Sequence, residues 1–193
     1  EPSGAYTLKV DPAAPTAPLG LAATPSNWTA INSFDLAWTN PADTSGIAGA
    51  YYRLDTPPTS ASDFTDSVPG SGNTIPDITV SGEGSHPVYV WLKDEAGNVN
   101  YNNRDSTTLL LDITPPSLTD VSSSDHTVDQ WSNDNTITMN WTASDGGGSG
   151  TAGYSTAFDT NPATTLPQTV NETGLTTTSP PLSDGGNYYF HIR

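Results

Sequence analysis

Cysteine is absent from the 193 residues. No disulfide, thiolate nucleophile or cysteine-ligated zinc can therefore operate in this chain. The absence assigns no compartment, because a core of adequate size needs no covalent staples. Basic residues are almost as scarce: 5 Lys and Arg stand against 21 Asp and Glu, for a formal charge of −16. That balance excludes binding to a nucleic-acid backbone, which needs cations to displace counterions. It equally excludes adsorption to an anionic membrane. It favours divalent cations, whose hard character suits carboxylate oxygens. No apolar run approaches the ~20 residues of a membrane span. No signal peptide is visible, so the expectation is a mature, truncated or excised chain.

What is abundant is turn chemistry. There are 17 Gly and 17 Pro, with many Ser, Thr, Asn and Asp. The 5 Trp, 8 Tyr and 4 Phe argue against disorder. Helical periodicity is missing, and Pro and Gly would break most candidate helices. Strand patterns recur instead. Phe34, Leu36 and Trp38 alternate with small or polar residues, as do Ile137, Met139 and Trp141. In "VYVWLK", Val88, Val90 and Leu92 share one face while Tyr89 and Trp91 share the other.

The chain repeats itself. The pair Trp28 and Trp38 is matched by Trp131 and Trp141. Each second Trp is followed by a Gly-rich turn and a Tyr, Tyr51 and Tyr154. "YRLDT" returns as "TAFDT", and "HPVYVWLKD" as "GNYYFHIR". The linkers "TLKVDPAAP" and "LLLDITPP" also match, with Asp11 and Asp112 standing 101 residues apart. A period of that size is one β-sandwich domain.

On these residues the chain resembles the immunoglobulin-like and fibronectin type III-like repeats of prokaryotic extracellular proteins. The carriers are Trp38 and Trp141, the stretches around Tyr51 and Tyr154, "VYVWLKDEAGNV", and the proline linker from Asp112 to Pro116. The expected fold is all-β: two tandem Ig-like (fibronectin type III-like) sandwiches, the second lacking its last strand. Residues 1–11 read as the last strand of a preceding or neighbouring module. Domain 1 covers 12–112, and domain 2 covers 113–193. Trp38, Tyr51, Trp141 and Tyr154 are the expected core. The resemblance implies a non-catalytic extracellular or cell-surface spacer, stalk, fibre or adhesin arm. The alternative is a carbohydrate-binding accessory module of a secreted protein.

No catalytic motif is present. His86, His126 and His191 fall outside any zinc or triad pattern, and neither a G-x-S-x-G elbow nor a P-loop occurs. Adjacent Asp94 and Glu95 point to opposite faces of a strand, poor geometry for an acid–base pair. "DGGGSG" lacks the ligand spacing of an EF-hand and reads as a turn. A domain junction is the better cation site, with Asp112 approaching Asp94 and Glu95. Calcium is the one cofactor left open. Trp28, Trp91 and Trp131 are the candidates for stacking on a glycan, and Asn27, Asn140 and Asn171 stand in N-glycosylation sequons.

The two ends complement each other. "GAYTLKVD" matches the closing strand "STTLLLD" of domain 1, whereas domain 2 stops after "GNYYFHIR". The expectation is that Ala5, Tyr6, Thr7, Leu8, Lys9 and Val10 of one unit complete domain 2 of the adjacent unit beside Tyr188, Phe190 and Ile192. Its partners are then other copies of itself or adjacent repeats, head to tail, building a stalk or filament.

Overall fold

A computed structural model describes residues 4–193. The chain is all-β, with twelve strands and no helix among the described residues. One compact unit ends at Ile113 and the second spans Thr114–Arg193.

Unit 1 has seven strands: β1 (Leu19–Thr24), β2 (Phe34–Thr39), β3 (Ile47–Leu54), β4 (Asp66–Pro69), β5 (Thr74–Ile78), β6 (Gly84–Asp94) and β7 (Val99–Leu111). They form a three-stranded sheet, β1-β2-β5, and a four-stranded sheet, β4-β3-β6-β7. All pairings are antiparallel. The alternation read from the sequence explains the packing. Phe34, Leu36 and Trp38 of β2 face Val88, Val90 and Leu92 of β6 across one closed core. Leu109 and Leu111 of β7 close its margin. Burying each such aliphatic side chain is worth about 1.5–3 kcal/mol.

Tyr51 corrects an expectation. It is half-buried and lies outside this core, on the opposite face of β3, stacked on Trp91 at 5.8 Å between centroids. Its neighbours Ala50 and Tyr52 point inward. Trp91, read as a surface aromatic, is itself fully buried.

Unit 2 comprises β8 (Ser117–Ser123), β9 (Thr138–Ser144), β10 (Thr156–Asp159), β11 (Thr176–Thr178) and β12 (Tyr189–Ile192). The sheet β11-β9-β8 repeats β5-β2-β1, and the ribbon β10-β12 repeats β3-β6. Among the described residues no strand of unit 2 corresponds to β7. Trp141 and Tyr154 are buried and meet edge to face at 5.2 Å. Phe190 stacks on Trp141 and packs on Phe158. Only Trp141, Tyr154 and Leu166 are buried hydrophobics in unit 2, against fourteen in the core cluster of unit 1. Over the described residues, the inner face of the second sandwich is therefore less fully covered than that of the first.

Glycine marks the same place in both units. A Cβ at Gly49 would meet the Val68 carbonyl oxygen at 2.9 Å, and one at Gly153 the Glu172 carbonyl oxygen at 2.9 Å. A neighbouring carbonyl passes each glycine too closely for a side chain.

Residues 4–18 form no strand. Residues 5–11, expected as a strand, belong to no sheet, and Tyr6, Leu8 and Val10 are 91%, 89% and 81% exposed. An isolated strand has no ladder to satisfy it, so the alternation persists without the hydrogen bonds.

Candidate functional site

The β6–β7 turn gathers three carboxylates. Asp94 ends β6 and is wholly buried. Asp43 lies in the β2–β3 loop and Asp11 in the proline linker leading to β1. One oxygen from each lies within 4.8 Å of the others. Local geometry fixes all three. The Asn98 amide N–H and its side-chain Nδ2 each donate to Asp94 at 2.7 Å. Asn98 Nδ2 also reaches the carbonyl oxygens of Asp11 and Ala13, at 2.9 and 3.2 Å, which ties the linker to the turn. Asp43 Oδ1 accepts the amides of Ser45 and Gly46 at 3.1 and 3.0 Å. Asp11 Oδ2 accepts the Ser45 amide at 2.9 Å. Hydrogen bonding from Ser45 holds the Asp11 carboxyl below the ordinary range, against the opposing effect of burial. Gly97, at φ 93°, supplies the left-handed residue that closes the turn.

No ion pair among the described residues neutralises this trio. The donors are all carboxylate oxygens, and carboxylates belong to hard cations. Two oxygens bound to one calcium at about 2.4 Å lie at most ~4.8 Å apart, so the spacing fits that ion.

Only one of the three residues expected to hold calcium is in the group. Asp112 follows β7, whose end pairs with Gly84 at the far end of β6 from Asp94. The two are separated by the length of β6, roughly 33 Å at the rise of a strand. Glu95 is exposed, outside the cluster, and its amide bonds the Gly46 carbonyl at 2.9 Å. The residues missed were Asp11 and Asp43. The signal for Asp11 was its equivalence to Asp112: the linker leading into a domain, not the one leaving it, meets that domain's β6–β7 turn.

The second candidate is the edge of β12. It pairs with β10 alone, whereas its counterpart β6 pairs with both β3 and β7. Phe190 and Ile192 line an open cleft of about 350 Å³ together with Leu166. Tyr188 is tied locally, its hydroxyl bonding the amide and carbonyl of Ser183 at 3.0 and 3.1 Å.

Of the three candidate glycan-stacking aromatics, Trp91 is inaccessible. Trp28 is 36% and Trp131 83% exposed. Each histidine is engaged by a carboxylate or carbonyl of its own unit. His86 contacts Asp55 at 2.7 Å and the Gly82 carbonyl at 3.2 Å. His191 contacts the Asn161 carbonyl at 3.0 Å and Asp159 at 3.3 Å.

His126 clips the loop that carries Trp131. One ring nitrogen meets Asp125 at 2.9 Å and the other the Asp134 carbonyl at 3.1 Å. Both partners are acceptors, so the doubly protonated ring satisfies both. The bond to Asp125 raises the His126 pKa, and His126 and the Thr138 amide hold Asp125 far below the carboxylate range. The histidine contribution is complete below its unfolded value of about 6.5 and is lost as pH rises through the higher folded value. The Asp125 contribution is present above about 3.9 and is lost as pH falls through its depressed value. Unit 2 is expected to melt highest between about pH 4 and 6.5, in the window set by these two groups. Calorimetry across pH checks this, and His126→Gln should flatten the alkaline decline. An alkaline slope unchanged in that variant would show that the clip contributes nothing.

No protein-family model and no curated protein matches the chain. Among solved structures it is similar to the central fibronectin-III array of RIM-binding protein, at 15% identity and a TM-score of 0.36. The match covers 96% of this chain and 60% of that one, so the chain spans less than two thirds of its length.

Proposed function

We propose that the chain is a non-catalytic extracellular structural repeat that works head to tail, its N-terminal segment adding a strand to unit 2 of the adjacent unit, a neighbouring repeat or another copy. A single observation carries the reading: β12 has one neighbour where β6 has two, while an exposed alternating segment lacks any sheet. An unpaired edge beside an open apolar cleft is a template for a further strand. A heterologous contact of this kind does not close on itself, and it yields filaments. Sedimentation velocity over a concentration series tests it. Association should grow with concentration and vanish when residues 1–10 are deleted. A truncated chain that associates as strongly as the intact one overturns the reading.

A second reading concerns the linker. Asp11, Asp43 and Asp94 form an oxygen-only group that would take calcium and fasten the proline linker to unit 1. Proline alone already restricts such a linker, and a cation would fix its point of attachment.

A further inference from the structure

The outer face of the four-stranded sheet in unit 1 carries chemistry that its core does not use. Alternation turns Gly49, Tyr51 and Arg53 of β3 to this face, with Tyr89, Trp91 and Lys93 of β6. Pairing sets them in rows: Pro69, Gly49 and Lys93 in one, Ser67, Tyr51 and Trp91 in the next. Arg104 of β7 stands opposite Trp91. Three of the 5 basic residues of the chain thus share one face of one sheet. Two of them are engaged. Arg53 pairs with Asp63. Arg104 donates to the Tyr101 carbonyl at 3.1 Å and lies 5.9 Å from the centre of the Tyr89 ring. The Lys93 ammonium has no partner among the described residues.

Lys93 lines a notch of about 130 Å³ with Gly49, Tyr51, Ser67 and Pro69, and no carboxylate or amide side chain lines it. Gly49 makes the space, because its row carries no side chain between Pro69 and Lys93. The Tyr51 ring is held in place, 4.9 Å from Phe64 and 5.8 Å from Trp91 between centroids. Tyr51 and Ser67 add two hydroxyls to this face, and neither has a partner among the described residues.

We infer that this notch receives a single carboxylate, the acidic side chain of a polypeptide partner. The formal charge of −16 disfavours a polyanion, so the match is local. One uncommitted cation answers one negative charge, and a hydroxyl can donate to the second carboxylate oxygen. A sugar acid would also bring hydroxyl donors, and the notch has no carboxylate or amide side chain to receive them. Aromatic and arginine side chains with few acidic ones are the composition of a protein interface centre. The inference is independent of the head-to-tail reading and of the linker carboxylates.

Titration of the full chain, followed through its backbone amide resonances, tests it. The probes are acetyl-Gly-Glu-Gly-amide and its Gln counterpart. The acidic peptide should move the amides of Gly49, Tyr51, Ser67 and Lys93, the neutral one should not, and added salt should weaken the response. Lys93→Gln should weaken binding about fivefold, the upper range for an ion pair open to solvent. Tyr51→Phe keeps the ring between Phe64 and Trp91 and removes only the hydroxyl; a loss of about two- to tenfold is expected. Lys9→Gln, outside the notch, should change nothing. Equal responses to the two peptides overturn the site, as do Lys93→Gln and Tyr51→Phe variants that bind like the native chain. Methyl glucuronide moving the same amides more strongly than the acidic peptide replaces the polypeptide partner with an acidic glycan. No movement of these amides at any peptide concentration overturns the inference outright.

Discussion

Replacing Trp38 by alanine is expected to destabilise unit 1 by about 3–5 kcal/mol, the cost of removing a large core aromatic and leaving a cavity. Trp38 is 4% exposed on the inner face of β2, between Leu36 and the residues of the opposite sheet. Its ring N–H also donates to Asn40 Oδ1 at 2.7 Å, and Asn40 Nδ2 donates to the Ser71 carbonyl at 2.9 Å. Truncation therefore leaves a void and strands a polar side chain that holds the β4–β5 connection. Urea denaturation followed by far-ultraviolet circular dichroism is the measurement. An unchanged midpoint in a fully folded variant would remove Trp38 from the core.

Calcium should produce the second large effect. At a concentration of about 100 times its dissociation constant, an ion that binds only the folded state stabilises by about 2.7 kcal/mol. Metal-stripped protein should show a raised melting temperature in calcium, reversed by chelator. Asp94→Asn should abolish the response, because it removes the one fully buried carboxylate of the group. Asp112→Asn should preserve it, since Asp112 sits at the other end of β6. Identical melting curves with calcium and with chelator would leave Pro12 and Pro15 alone to stiffen the linker.

The fold was legible because alternation reports facing directly. Phe34, Leu36 and Trp38, and Val88, Val90 and Leu92, are where a period of two puts them. Tyr51 misleads because Tyr51 and Tyr154 are equally spaced from Trp38 and Trp141 without being equivalent in position. The turn before Tyr154 is one residue longer, so Tyr154 occupies the place of Ala50. A shift of one residue exchanges the faces of a strand. The carboxylate group was only partly legible. Asp94 announced itself in "KDEAGN", but which linker meets that turn depends on how seven strands wind, and no local pattern encodes that. The exposure of residues 4–10 was not legible either: a strand-like sequence states a preference, and hydrogen bonding needs a partner.

The long β6–β7 ladder has a mechanical consequence. The chain reaches unit 1 at the β6–β7 turn, where Asn98 grips the carbonyls of Asp11 and Ala13. It leaves at the opposite pole, where the Asp112 amide bonds the Thr29 carbonyl at 2.9 Å and the Thr29 amide bonds Leu110 at 3.1 Å. Tension drawn through the two linkers therefore runs along the strands. The cross-strand bonds of an antiparallel pair lie perpendicular to that direction. They are sheared together and cannot be peeled off one at a time, so unit 1 resists stretching as a strut with its attachment points at its two ends.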